Sequence, residues 1–347
     1  MPASEDPRPP ATLADVAERA GVSRQTVSNA INNPDLLRAD TLARVQAAIE
    51  ELGYSPNHAA RQLRTRSSRL VGLRLGPAQE FTANMAMDRF VRSLVEASRA
   101  VGYHVLLFSG GPTPKGEQPD PLGGYDDLLR STAVDAFVVT DTYFGNLQTD
   151  ALTRRRAPFV AFGRPWDDPA AAHPWVDVDG AAGVELATEH LHAQGHQRIA
   201  WIGWLPGSRI GEDRRSGWHR AMAARSLVTA GFESAVDDTV DAGRLAALAL
   251  LDAVRPTAFV CASDTLAVGV VRALRERGLR VGVDAAVVGF DDSQVAQVLG
   301  ITSVRQPLES VAVSLVEALS ALLGPGEAPA GGRLLPPTLA VRESSGT

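Results

Sequence analysis

Apolar positions along this chain change rhythm once, near residue 69. Before that point they recur at helical spacing in short segments. Leu13, Val16, Ala17 and Ala20 give a first helix one buried face. Thr12, with Asp15 three residues on, reads as its capped start, although Asp is a weaker partner there than Glu or Gln. Gly21 suits the left-handed residue that ends a helix, and Val22 then returns the chain to the core. Ser23 is placed to cap a second helix from Arg24 to about Ile31, burying Val27 and Ile31. Asp40 is expected to cap a third, whose stripe of Leu42, Val45, Ile49 and Leu52 ends at Gly53. A small residue at Ala17, a glycine at Gly21 and an apolar residue at Val27 stand at the spacing of a helix-turn-helix, which lays its second helix in the DNA major groove. The same positions also fit a helical hairpin that touches no ligand.

Beyond Leu70 short apolar runs alternate with longer amphipathic ones. Leu70–Leu75, His104–Phe108, Ala136–Thr140 and Pro158–Phe162 read as buried parallel strands. Met85–Val101, Asp126–Arg130 and Leu147–Arg155 read as the helices between and after them. A second round follows, with strands at Ile199–Gly203, Ala258–Cys261, Ala286–Gly289 and Ile301–Val304. Its helices are Ala181–Gln194, Arg214–Ala224, Leu245–Val254, Thr265–Arg277 and Val311–Leu323. Two rounds imply two doubly wound α/β lobes, whose ligands bind at the carboxyl ends of the strands. The cleft between them is the default ligand site. The loops 110–124 and 165–174, rich in Gly, Pro and Asp, are expected at its rims.

Between the two rhythms lies SPNHAARQLRTRSSR, which has Arg61, Arg64, Arg66 and Arg69 around Leu63 and no acidic residue. That is a poor core helix and a good phosphate-contacting segment with an apolar wedge.

Composition adjusts this picture in three places. The 347 residues, 45% hydrophobic and 21% charged, describe a globular chain of more than one domain. No apolar run approaches membrane-spanning length and MPASEDPRPPAT has no signal-peptide layout, so a cytoplasmic location is expected, with residues 1–11 a disordered lead-in. The single Cys261 excludes an intramolecular disulfide and a cysteine-based zinc cluster. The net charge of −6 does not suggest nucleic acid, and residues 1–69, with nine Arg against eight Asp plus Glu, carry only +1 of it. Attraction to DNA would therefore rest on local geometry rather than a general basic field.

TLADVAERAGVSRQTVSNAIN and YSPNHAARQLRTRSS resemble the helix-turn-helix and hinge helix of the lactose/galactose-repressor (LacI/GalR) family of bacterial transcription regulators. VDVDGAAG, RRSGWHRAM, VVGFDD and TSVRQP resemble that family's periplasmic-binding-protein-like effector domain, so the likeness covers nearly the whole chain. It implies a small all-α helix-turn-helix head over residues 12–55, a hinge helix or linker over 56–68, and a two-lobed α/β effector domain of doubly wound parallel sheets over 69–347. The N-lobe is expected at about 69–173 with 303–335, the C-lobe at about 174–302, and a C-terminal segment at 336–347.

The resemblance also implies roles. Arg24, Gln25 and Asn29 would face base edges, with Thr26, Ser28 and Asn32 beside them. Thr12, Ser23 and Tyr54 would complete the head's DNA-binding set, joined by Asn57, Arg61, Leu63 and Arg64 of the hinge. Arg24 departs from the tyrosine of the lactose repressor, so no operator sequence carries over. Partners implied are a pseudo-palindromic double-stranded operator and a small effector, a sugar or oligosaccharide. A second copy of the chain is also implied, a dimer being expected because no heptad extension follows. Effector contacts would come from Arg214, Asp291, Asp179 and Ser263, with Asp88 a weaker match because the preceding loop is longer here. Carboxylates and a guanidinium fork give a polyol bidentate recognition. An aromatic for a sugar face would come from Trp166, Phe162, Trp175 or Trp204.

Each assignment has a plain structural alternative. Asp179 stands where a helix cap is needed, Arg214 could pair with Glu212 or Asp213, and tryptophans more often pack than stack on ligands. His190, His192 and His196 fit surface or helix-end roles better than a metal site. Neither a G-x-x-x-x-G-K-[ST] phosphate loop nor a G-x-S-x-G elbow occurs, so neither an enzyme nor a cofactor is expected. The reading is a DNA-binding repressor of carbohydrate uptake or catabolism genes, released by a sugar. Its alternatives are a regulator with a purine-type corepressor and a solute-binding receptor.

Overall fold

The computed structural model describes residues 11–54, 67–75, 85–110, 122–140, 142, 147–166, 168, 171–325 and 331–346. The chain divides into two compact units, Met1–Ser68 and Arg69–Thr347. The lead-in up to residue 10, the hinge with Asn57, Arg61, Leu63 and Arg64, and most of the 110–124 loop lie outside the described residues.

In the first unit, α1 (Leu13–Ala20) opens with a full capping box: Thr12 Oγ1 accepts from the Asp15 N–H and the Asp15 carboxylate accepts from the Thr12 N–H at 2.7 Å. Asp is long enough for the reciprocal bond. Gly21 takes φ +63°, and Val22 N–H closes back on the Ala17 carbonyl. Ser23 caps α2 (Arg24–Asn32), its Oγ accepting from Thr26 N–H at 3.1 Å. After a 3-10 turn, α3 (Ala39–Leu52) ends at Gly53. Here the expectation for Asp40 fails. Arg38 is the residue before the first turn and no side chain caps it, while Asp40 lies inside that turn, where its charge suits the helix dipole. Val16, Val27 and Val45 are fully buried where the helices meet, with Ala17, Ala20 and Ala48 around them. Ile31 is only half-buried.

The second unit holds two parallel-sheet lobes. The first is built on β1 (Leu70–Leu75), β2 (His104–Ser109), β3 (Ala136–Val139), β4 (Phe159–Phe162), β5 (Trp175–Val178) and β11 (Gly332–Leu335), in the order β11-β5-β4-β3-β1-β2. The second is built on β6 (Ile199–Trp204), β7 (Glu233–Val236), β8 (Ala258–Cys261), β9 (Ala286–Phe290), β10 (Thr302–Arg305) and β12 (Thr338–Ala340), in the order β12-β10-β9-β8-β6-β7. Among the described strands only β12 runs antiparallel, against β10.

The helices are α4 (Met85–Ala100), α5 (Tyr125–Arg130), α6 (Leu147–Arg154), α7 (Gly180–Ala193), α8 (Arg209–Ala224), α9 (Val240–Ala253), α10 (Asp264–Glu276), α11 (Gln294–Val298) and α12 (Leu308–Leu323). Leu308, Val311 and Leu315 of α12 complete the first lobe's core with Phe90 and Leu94 of α4. Trp201, Trp218 and Phe259 anchor the second.

Two lobe boundaries differ from expectation. Residues 175–178 belong to the first lobe, because β5 pairs with β4 and β11, so the chain crosses at Asp179 rather than 174. Residues 302–305 belong to the second, because β10 pairs with β9, so the return crossing comes after β10 and not at 303. A third crossing separates β11 from β12 at Pro336 and Pro337. Proline donates no N–H to a ladder, which suits a link between two sheets.

Candidate functional site

The cleft between the lobes forms a cavity of about 390 Å³. Its first-lobe wall includes Met87, Thr140, Phe162 and Trp166, and its second-lobe wall Trp204, Arg214, Asp238 and Asp291.

Arg214 is the centre of the second wall. It is 5% exposed, and its guanidinium lies 3.6 Å from the Phe290 ring centroid and 5.0 Å from that of Trp204. One terminal nitrogen donates to the Ala262 carbonyl at 2.5 Å and the other lies 3.7 Å from Asp291. Its Nε has no hydrogen-bond partner. The alternative of a surface pair with Glu212 or Asp213 is excluded: Glu212 pairs with Arg209 and Asp213 with Arg164.

Asp291 follows β9 at its carboxyl end with φ +109°, a strained value for a non-glycine residue. The Val304 carbonyl holds its N–H at 2.8 Å, and Gln306 donates to its carboxylate at 2.6 Å. Burial pushes Asp291 up to about 7, against the pull of Arg214. Behind it, Asp264 accepts from Ser303 Oγ at 2.6 Å and Ser293 N–H at 2.7 Å, yet burial still pushes it up to about 6. The next residue, Asp292, is 2% exposed and ion-paired to both Arg305 and Arg342.

A second group spans the cleft. Arg164, just after β4, donates to Asp177 at 2.6 Å and to the Val178 carbonyl at 3.1 Å. It also reaches Asp213 of α8, in the other lobe, at 3.4 Å. Its guanidinium lies 4.3 Å from the Trp166 ring centroid. Asp213 additionally accepts from the Ala181 N–H at 3.0 Å, at the start of α7, and its pKa is raised by burial. A Cβ on Gly180 would stand 3.0 Å from Asp213 and 3.1 Å from Arg214, so glycine lets α8 bring both side chains to the cleft.

The structure therefore brings Arg214, Asp291, Phe162 and Trp166 together in the cleft. Asp179 and Ser263 do not line it. They cap α7 and α10, accepting from Ala182 N–H at 2.9 Å and Leu266 N–H at 3.2 Å. Ser263 acts one step back, donating to Asp238 at 2.5 Å. Asp88 is exposed on α4 and does not line the cleft, and Trp175 packs in the first lobe against Gly332. Arg164, Asp177, Asp213, Asp238 and Gln306 were not singled out from sequence. Asp177 and Gln306 lie inside the motifs VDVDGAAG and TSVRQP and Asp238 in an Asp-Asp pair before a capped helix, whereas nothing local marks Arg164 or Asp213.

In the head, Ser23, Arg24 and Gln25 are exposed, while Thr26, Ser28 and Asn29 are half-buried. Gln25 donates to Asn29 at 3.1 Å, which orients the two amides along one face of α2. Thr12 is exposed but committed to its cap, and Tyr54 packs partly into the head core.

A helix-turn-helix head and a two-lobed receptor cleft in one chain define a DNA-binding regulator that responds to a ligand. The model of bacterial regulatory proteins of the lacI family matches residues 12–57, and that of a periplasmic binding protein-like domain matches 188–345. The chain is 36% identical over 308 aligned positions to the HTH-type transcriptional regulator CelR of Thermobifida fusca, covering 86% of this chain and 87% of that one. It is 31% identical to the lactose operon repressor of Escherichia coli (strain K12), covering 97% of this chain and 91% of that one. Among solved structures, a CelR–cellobiose complex matches with a TM-score of 0.71 at 33% identity, over 96% of this chain and 99% of that one. A lac repressor dimer bound to operator and the anti-inducer ONPF matches with a TM-score of 0.79 at 28% identity, over 98% of this chain and all (100%) of that one. The chain belongs to the LacI family and is an HTH-type transcriptional regulator.

Proposed function

We propose that this regulator is a cytoplasmic, dimeric repressor of carbohydrate uptake or catabolism genes, without enzymatic activity, released from its operator when a sugar enters the cleft. The observation that carries the sugar is a set of unpartnered donors among cleft residues: Arg214 Nε, Trp166 Nε1 and Trp204 Nε1. Buried N–H groups without partners are costly, and a polyol supplies acceptors for them while its hydroxyls donate to Asp291 and Asp238. The indoles of Trp166 and Trp204 offer an apolar face to a sugar ring. That one relative was solved with cellobiose and another on operator DNA agrees with this reading. In the head, Arg24 would fork to guanine, and Gln25 and Asn29 to adenine, each pair worth ~1–3 kcal/mol of discrimination.

A thermal-shift screen of the purified protein against mono- and disaccharides, with purine bases as the contrasting series, tests the cleft. A sugar at a hundred times its Kd should add about 2.7 kcal/mol of apparent stability. Stabilisation by purines and by no sugar would overturn the sugar reading.

A further inference from the structure

Among the described residues four carboxylates line the cleft, and three of them face a guanidinium. Asp177 and Asp213 share Arg164, and Asp291 lies 3.7 Å from Arg214. Asp238 differs. Its carboxylate accepts from the Ser263 hydroxyl at 2.5 Å, and among the described residues no cationic side chain forms an ion pair with it. Ser263 is 1% exposed, and its oxygen also accepts from the Leu266 N–H at the start of α10. Its one proton is thereby directed to Asp238, which fixes one carboxylate oxygen and leaves the other to the cleft.

Neither arginine forms an ion pair with Asp238, although Arg214 is near enough to feel its charge. Arg164 is divided between two acids, and Arg214 is engaged by the Ala262 carbonyl and Asp291. Asp238 is itself one of the charges that hold Asp291 high. Among the described residues the lining thus sets four carboxylates against the guanidiniums of Arg164 and Arg214. Asp238 is exposed to the cleft mouth, and an anion arriving there meets a carboxylate that no ion pair among the described residues neutralises, whereas a hydroxyl or an ammonium meets an acceptor.

We infer that Asp238 is a specificity-determining residue of the cleft: it accepts hydrogen bonds from neutral or amino sugars and excludes sugars bearing a phosphate or carboxylate. This rests on the sugar reading of the site. Selectivity here comes from a repulsive element as much as an attractive one.

Calorimetric titration of the full-length protein with matched series tests it. One series is glucose, glucosamine and glucose 6-phosphate; the others are cellobiose and maltose, each with its 6′-phosphate. In the wild type, a phosphorylated sugar should bind at least ~30-fold more weakly than its neutral parent. Asp238→Asn keeps an acceptor for Ser263 while removing the charge, and should cut that ratio below ~5-fold. Asp238→Ser, smaller and also neutral, guards against a folding defect in the first variant and should move the ratio the same way. A phosphorylated sugar that binds the wild type as tightly as its parent overturns the inference. So does a ratio left unchanged in both variants while neutral sugars still bind, an outcome that leaves the sugar reading standing. Binding of no sugar to any of the proteins removes the sugar reading and the inference with it.

Discussion

Asp291 couples the chemistry of the cleft to pH. Burial lifts its carboxyl from the ordinary 3.8 to about 7, so between those values the folded protein holds a proton that the unfolded chain has released. Stability linked to this group is therefore full below about pH 4 and declines as pH rises towards 7. Asp264, lifted to about 6, acts in the same direction over a narrower window. Urea unfolding from pH 4.5 to 7.5 should show Asp291→Asn flattening that decline relative to the wild type. A sugar that donates to the ionised carboxylate works in the opposite direction. Its affinity should rise with pH up to about 7, by as much as tenfold per unit, and lose that dependence in Asp291→Asn. An affinity flat from pH 5.5 to 7.5 in the wild type would mean that Asp291 does not meet the ligand.

At this scale the sequence was uneven. Arg214 and Asp291 sit in recognisable motifs, the first within α8 and the second just past the end of β9, and both reach the cleft. Asp179 and Ser263 sit in equally recognisable motifs, but helix starts claimed their side chains. Arg164 and Asp213 are 49 positions apart and acquire meaning only when the lobes face each other. No spacing along the chain announces such a pair.

Among the elements, capped starts were legible in the head, but α8 and α9, capped by Ser208 and Thr239, begin five residues before the expected Arg214 and Leu245, and Ser293 caps α11, which the apolar pattern does not announce. Thr12, Ser23 and Gly21 behave as local rules require, whereas α3 begins at Ala39, after an Arg38 that supplies no side-chain cap, and Asp40 falls inside its first turn. The strands that escaped notice, β5, β7, β11 and β12, are four residues or fewer. β7, β11 and β12 lie at sheet edges, where exposure dilutes the apolar pattern. β5 carries Asp177, a charge that obscures its run and is explained only by Arg164.

Two element-level outcomes follow. Ser23→Ala removes the α2 cap and should destabilise the head by ~1 kcal/mol, measured by chemical unfolding of the head's helical signal. An unchanged midpoint would show that Thr26 N–H finds another acceptor. Gly180→Ala should weaken sugar binding with only a small loss of thermal stability, because the added Cβ presses on Asp213 and Arg214 rather than on the core. Undiminished sugar affinity in that variant would show that α8 can retreat without consequence.

On the scale of the effector unit, the polypeptide crosses between lobes three times, and Asp291 and its neighbour Asp292 are tied to the crossing that follows β10. Gln306 holds Asp291 at the crossing that follows β10. Arg305 and Arg342 hold Asp292, the latter from the segment after β12. A ligand that engages Asp291 therefore acts on the strands that join the lobes, and a change in lobe disposition is the expected response. Binding energy in the cleft and affinity for DNA must then be coupled reciprocally, by a factor typically between ~5 and ~150.

The most direct test measures that coupling. Operator duplexes selected from a random pool should be titrated with the full-length protein by fluorescence anisotropy, with and without a sugar found in the thermal-shift screen. The account predicts that saturating sugar weakens operator binding by ~5-fold or more in the wild type. It predicts that Asp291→Asn binds the same operator equally well and ignores the sugar. Equal operator affinity with and without sugar in the wild type, or loss of DNA binding in the sugar-free variant, would contradict it.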